Sequence, residues 1–285
     1  MAAASLSRLD PSLRASMAQA LRSCRYELVP TPSAHEAAEG VPPGSVVTIT
    51  ASPRRGMDVT VDLAVELGKA DLRVVPHLAA RLVRDQGHVE AMVERLADAG
   101  VEEVFVIGGD GQPQGQFSDA LELIRAIDRT GHRFTIGIAG YPEGHPLVDR
   151  EKLDAALAAK REYASYLVTQ MCFDASAITV WVEEIRGRGV ELPVVIGLPG
   201  VVALTRLIPV ATRIGVGDSI RFLTRHRGLW TKLLSPSFSP TDLLIDLAPL
   251  LADPTTGVVG LHLYTFNQVA ATEKWREGLL AEFGA

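Results

Sequence analysis

Apolar residues in this chain recur in two alternating rhythms. Short continuous runs rich in Val, Ile and Leu span residues 24–29, 45–50, 71–76, 103–107, 133–138, 166–170, 193–196 and 257–264. Between them, apolar positions fall three and four apart, as in Val89, Met92, Val93 and Leu96, in Leu121, Leu123, Ile124 and Ile127, and in Ile178, Val182 and Ile185. Continuous runs suit strands of a parallel sheet covered on both faces. The wider spacing suits helices with one apolar stripe. Gly100, Gly131 and Gly189 come just after three of the helical stretches, where a stop signal belongs. Eight strands alternating with helices predict a (β/α)8 TIM barrel rather than an open sheet, as a single domain over residues 1–285.

Two stretches exceed the repeat. Leu6, Leu9, Leu13, Met17 and Leu21 predict an N-terminal helix within residues 1–23. Asp10 is a good cap and Pro11 suits the first helical position, so the helix is expected to start there and to cover the barrel bottom. Residues 214–250 are longer than one strand–helix unit needs and predict extra helices before the last strand, with a turn at Pro236, Ser237, Ser239 and Pro240. Residues 30–44 read as a loop after the first strand and not as a domain boundary.

The 285 residues match one barrel of about 250 residues plus an extension. At 47% hydrophobic and 22% charged, the chain can build a large core and is not globally disordered. A net charge of −6 without a basic stripe argues against nucleic acid. Arg221, Arg225, His226, Arg227 and Lys232 form a local exception, read either as a solvated helix face or as a contact for an anionic cofactor. Cys24 and Cys172 fall in apolar surroundings and read as buried free thiols. No apolar signal core opens the chain and no run of about 18 apolar residues occurs, so a cytoplasmic, non-membrane protein is expected. A homo-oligomer is left open.

Barrel chemistry sits at the C-terminal ends of strands. That rule sends Glu27, Thr50, His77, Asp110, Tyr141, Glu143, His145, Gln170, Tyr264 and Asn267 to one mouth. Glu27, flanked by Tyr26, Leu28 and Val29, is either a desolvated general acid or a buried carboxyl paired with an arginine such as Arg25 or Arg54. Asp110 follows two glycines and reads as a ligand-facing carboxylate or a turn residue. Gln170 can read a heterocycle edge or cap the next loop. Tyr264, Phe266 and Phe173 offer stacking surface or core packing. His77 and His145 lack metal-ligand spacing, so hydrogen bonding is expected of them and no metal is.

Six motifs in order carry a resemblance: residues 26–30 (YELVP), 76–78 (PHL), 108–111 (GGDG), 141–146 (YPEGHP), 169–174 (TQMCFD) and 263–267 (LYTFN). With them the chain resembles the methylenetetrahydrofolate reductase family from about residue 24 to 270. The resemblance implies reduction of 5,10-methylenetetrahydrofolate, with Glu27 as general acid and Asp110 holding the pterin and stabilising its cationic intermediate. It implies that Gln170, Tyr264 and Leu204 bind the folate, and that Thr50, His77, Gly109, Tyr141 and His145 line the cofactor cleft. Departures are equally specific. Gly108 and Gln268 stand where the family usually carries arginine, Lys160 is one residue out of register with the family's lysine, the loop at residues 51–56 is short, and Leu204 replaces an aromatic. Several of these positions hold the flavin in the family, so FAD is expected to be absent or weakly bound, with hydride coming directly from NADH or NADPH. An ordinary FAD enzyme and a folate-dependent methyltransferase are the alternatives. No separate regulatory domain is expected.

Overall fold

The computed structural model describes residue 6 and residues 9–70, 72–214 and 237–284. The basic cluster at Arg221–Lys232 and the turn residue Pro236 lie outside the described residues. Helix α1 (Pro11–Arg22) leads into β1 (Arg25–Leu28), α2 (Ala34–Glu39), β2 (Val46–Ile49), α3 (Asp58–Leu67) and β3 (Arg73–Ala79). There follow α4 (Gln86–Asp98), β4 (Glu103–Ile107), α5 (Ala120–Asp128), β5 (Thr135–Gly140), α6 (Arg150–Lys160), β6 (Tyr166–Thr169), α7 (Ala175–Gly187) and β7 (Val194–Pro199). The chain continues through α8 (Leu204–Arg213), α9 (Thr241–Ala252), β8 (Val258–Tyr264) and α10 (Val269–Glu282). A two-stranded antiparallel ribbon pairs Val202–Ala203 with Ser237–Phe238.

The eight principal strands close into a barrel in the order β1-β8-β7-β6-β5-β4-β3-β2, every pair parallel. This is the expected TIM barrel; of residues 214–250, expected to hold extra helices before the last strand, 215–236 lie outside the described residues and α9 takes the end of the stretch. Helix α1 starts as the sequence predicts, with the Asp10 carboxylate accepting the Ser12 N–H at 2.8 Å. It packs against α9, α10 and β8. Strand β3 runs three residues past Pro76, which draws His77 into the barrel.

The pleat divides the strand residues into two cores. Outward side chains such as Leu28, Ile49, Leu78, Val106 and Leu263 merge with the helix stripes into one large core. Inward side chains Val75, Phe105, Tyr166, Val168 and Val195 form a separate cluster in the barrel. The bottom is closed by charge. Arg25, the first residue of β1, pairs with Glu103, the first of β4, and its guanidinium lies 4.3 Å over the Tyr166 ring. On the outer face of β1 the Tyr26 hydroxyl bonds Glu273 of α10, which Arg276 holds through Nε at 2.8 Å.

Space inside the barrel is tight. A Cβ on Gly137 would lie 2.2 Å from Tyr166 Cζ and 2.7 Å from Phe105 Cδ2, whereas one on Gly187 of α7 meets nothing within 4 Å. Gly137→Ala is therefore expected to destabilise the fold by about 1–3 kcal/mol through overpacking. Gly187→Ala is expected to be neutral or stabilising by about 0.4–1 kcal/mol. Urea unfolding of the two variants checks this, and equal midpoints would contradict it.

Candidate active site

Glu27 is the centre of the site. The alternation that sends Tyr26 and Leu28 outward sends Glu27 into the barrel, where it is 9% exposed. Among the described residues no arginine pairs with it, since Arg25 is engaged by Glu103 and Arg54 is exposed. Its neighbours are two imidazoles: His262 Nε2 lies 3.2 Å from Oε2 and His77 Nε2 lies 4.0 Å from the same oxygen. Burial pushes the Glu27 carboxyl up to about 7, with His77 pulling weakly the other way. Burial pushes both imidazoles down, His77 to about 4 and His262 to about 3, so both are neutral at physiological pH. The result is a carboxyl that holds its proton near neutrality, as a general acid must.

The backbone that carries Glu27 is fixed from the far end of the chain. Thr265 Oγ1 donates to the Glu27 carbonyl at 2.5 Å. Asn267 bonds both main-chain groups of Val29: its Oδ1 accepts the N–H at 2.8 Å and its Nδ2 donates to the carbonyl at 2.9 Å. Phe266 and Asn267 adopt φ of 52° and 60° to present that amide. A left-handed phenylalanine is strained, and the paired bonds of Asn267 offset the strain. Asn267, expected among the mouth residues, is thus the seam between β8 and the end of β1.

A second group lies above β4 and β5. Gly109, at φ 85°, turns the chain after β4, and a Cβ there would approach Ala79 Cβ to 3.1 Å. Asp110 follows, exposed at the mouth. Burial and then the charge of Asp110 raise the Tyr141 hydroxyl; burial depresses His145, with Asp110 opposing. Tyr141 and His145 meet edge-on at 5.4 Å. Arg81, just after β3, braces this loop: its Nε donates to the Ser118 carbonyl at 2.9 Å and its Nη1 to the Gly111 carbonyl at 3.1 Å.

The third group is apolar. Met171, Phe173, Val202 and Leu207 form a cluster against which Leu204, Phe238, Tyr264 and Phe266 pack. Tyr264 links this wall to the acid: its hydroxyl donates to the Thr169 carbonyl at 2.9 Å, its ring lies 4.8 Å from that of His262, and both Glu27 and Tyr141 act on it electrostatically. Gln170 turns its Oε1 back onto the Met171 N–H at 2.9 Å, the loop-capping arrangement. Thr50 follows β2, with its N–H on the Leu28 carbonyl at 2.9 Å.

Sequence reading placed Glu27, Tyr264, Asp110, Tyr141 and His145 in these groups. It placed His77 at the cofactor cleft, whereas the side chain is 8% exposed and directed at Glu27. It overlooked His262 and Thr48. Both were findable from the period of two, His262 stepping back from Tyr264 and Thr48 from Thr50. Thr48 lies opposite Glu27 in the ladder, and its Oγ1 is buried without a partner. Among the described residues no group of three or more His, Cys, Asp or Glu is placed to hold a metal, and no helix is long and apolar enough to cross a membrane. Both cysteines are free and buried.

A family model described as methylenetetrahydrofolate reductase matches residues 33–226. The chain is 28% identical over 219 residues to methylenetetrahydrofolate reductase 1 of Schizosaccharomyces pombe, covering 68% of this chain and 34% of that protein. It is 32% identical over 114 residues to a probable methylenetetrahydrofolate reductase (NADPH) of Caenorhabditis elegans, covering 37% and 17%. It is 28% identical over 130 residues to methylenetetrahydrofolate reductase (NADH) 1 of Arabidopsis thaliana, covering 39% and 22%. The chain thus spans about a third of the length of the first of these relatives and less of the other two. Since the family model takes in more than half of the chain, including β2 to β7 and the Asp110, Tyr141 and Gln170 loops, the chain belongs to the methylenetetrahydrofolate reductase family.

Proposed function

We propose that this chain reduces 5,10-methylenetetrahydrofolate to 5-methyltetrahydrofolate with hydride from NADH or NADPH, and holds no flavin tightly. The observation that carries the reading is Glu27: a carboxyl inside the barrel, with no cation paired to it among the described residues and flanked by two neutral imidazoles. Its proton goes to N10 of the folate as the bond from N10 to the bridging carbon breaks. The positive charge left on N5 and that carbon meets the carboxylate of Asp110, fixed electrostatics being the protein's main lever on such a cation. The nicotinamide, bound as second substrate, supplies the hydride to the bridging carbon. The apolar wall of Met171, Phe173, Leu204, Tyr264 and Phe266 offers the surface for the folate's aromatic parts.

Among the described residues, the positions compared with the family fit a flavin dinucleotide poorly. A pyrophosphate wants charge-assisted donors. Gly108 has no side chain to give, Arg81 is spent on two backbone carbonyls, and Lys160 is buried on α6, where desolvation lowers its pKa against the pull of Asp119. No step is assigned to flavin for that reason. The first test is NADH oxidation by spectroscopically flavin-free protein. Oxidation that depends on methylenetetrahydrofolate supports the reading. Activity only after FAD is added assigns the chain to flavoenzymes, and silence under both conditions favours methyl transfer.

Glu27→Gln is expected to lower kcat by about 10²–10⁴-fold while leaving the folate Kd nearly unchanged. Equal losses in both would remove Glu27 from the proton transfer. Wild-type turnover should fall as pH rises through about 7, because the acid form is the working form, and Glu27→Gln should lose that limb. Stability follows the same sign. A carboxyl raised on folding contributes fully below its unfolded value, and the contribution is lost as pH rises through about 7. Thermal melting at pH 8.5 should therefore favour Glu27→Gln over wild type, with the advantage gone at pH 5.

A further inference from the structure

Both imidazoles approach the same oxygen of Glu27, and only one of them reaches it. His262 Nε2 stands 3.2 Å from Oε2, within hydrogen-bond range, and His77 Nε2 stands 4.0 Å away, outside it. Oε1 has neither. His262 is buried to 1% exposure, and its other ring nitrogen, Nδ1, is buried without a partner. That pattern selects a tautomer. With hydrogen on Nε2, the unpartnered Nδ1 is only a lone pair; with hydrogen on Nδ1, a buried donor is orphaned and a lone pair faces the carboxylate. Orphaned buried donors are the rarer outcome.

We infer that His262 is a positioning residue: its Nε2–H donates to Oε2, fixes the rotation of the Glu27 carboxyl, and leaves Oε1 as the oxygen that carries the transferable proton. Calling that proton transferable rests on the folate-reducing reading above; the hydrogen bond and its tautomer do not. The same contact sets how readily the proton leaves. A donor on Oε2 stabilises the carboxylate that remains, so it lowers a value that burial alone would push higher. The other groups facing the pair are accounted for. From β3 comes His77, from β8 Tyr264, whose hydroxyl is taken by the Thr169 carbonyl, and from β1 Arg25, which is held by Glu103. Thr48 of β2 does not titrate. Removing His262 therefore leaves no other donor within bonding distance of Oε2 among the described residues.

The test is a carboxyl-carbon NMR titration of glutamate-labelled protein, with the Glu27 signal assigned by its loss in Glu27→Gln. His262→Leu should move the Glu27 midpoint upward by about one pH unit, the size of one donor's preference for a carboxylate. His262→Gln, whose amide N–H reaches the Nε2 position, should restore it to near the wild-type value. His262→Asn, whose amide falls short, should behave like leucine even if the leucine variant does not fold. A midpoint unmoved in the asparagine variant, or moved equally by glutamine and asparagine, overturns the inference. The readout needs no turnover. If wild type shows the coupling but oxidises no NADH with folate, the functional reading fails and the role of His262 stands. If wild type is active, the same order should appear in the upper limb of its pH–rate profile.

Discussion

The ion pair between Arg25 and Glu103 decides what Glu27 can be. Arg25 sits two residues below Glu27 on the same strand and on the same inward face, close enough in sequence to have neutralised it. Glu103, reaching in from β4, takes the guanidinium at the barrel bottom, and Tyr166 covers its face. A buried carboxylate beside an arginine stays ionised and cannot give a proton; one without a cation stays protonated until well above its ordinary range. Stability at one end of the barrel and chemistry at the other are thus two uses of one strand.

The rest of the site elaborates that separation. His262 and His77 are too deeply buried to carry charge, so they surround Glu27 with polarity and no positive charge. Asp110 stands apart, exposed on a glycine turn after β4, where it acts on Tyr141 and His145. The apolar cluster after β6 and β7 adds the aromatic and aliphatic surface that the proposed function uses. The family relation is what the proposed folate substrate rests on, and the residues at Gly108, Lys160 and Gln268 are what the proposed hydride route rests on.

Much of this was legible in the chain. Continuous apolar runs gave all eight strands because a parallel barrel buries both faces of each, and the helix stripes followed from their own period. Glu27 stood out as a charge inside such a run. Pairing was not legible. Whether Arg25 would meet Glu27 or Glu103 depends on which strands face each other across the barrel, and no local pattern encodes that. The resemblance implied a place for His77 in the cofactor cleft and Pro76 read as a strand end, yet β3 continues to Ala79 and carries His77 inside the barrel beside Glu27. Asn267 looks like a ligand-facing polar group in sequence and bonds the backbone at Val29, and the Gln170 Oε1 accepts the Met171 N–H. A polar residue at a strand end has two uses, and only long-range geometry tells them apart.

The seam made by His262, Thr265 and Asn267 also sets a schedule for biogenesis. Glu27 leaves the ribosome early, while its imidazole partner lies 235 residues later and the Thr265 hydroxyl that holds its carbonyl 238 residues later. At about 5–20 residues per second, translation separates them by roughly 12–50 seconds. Throughout that interval the carboxyl is solvated and has ordinary acidity. The nascent chain therefore carries an ionised glutamate that must take up a proton when the last strand closes the barrel, and the proposed acid exists only once folding is finished.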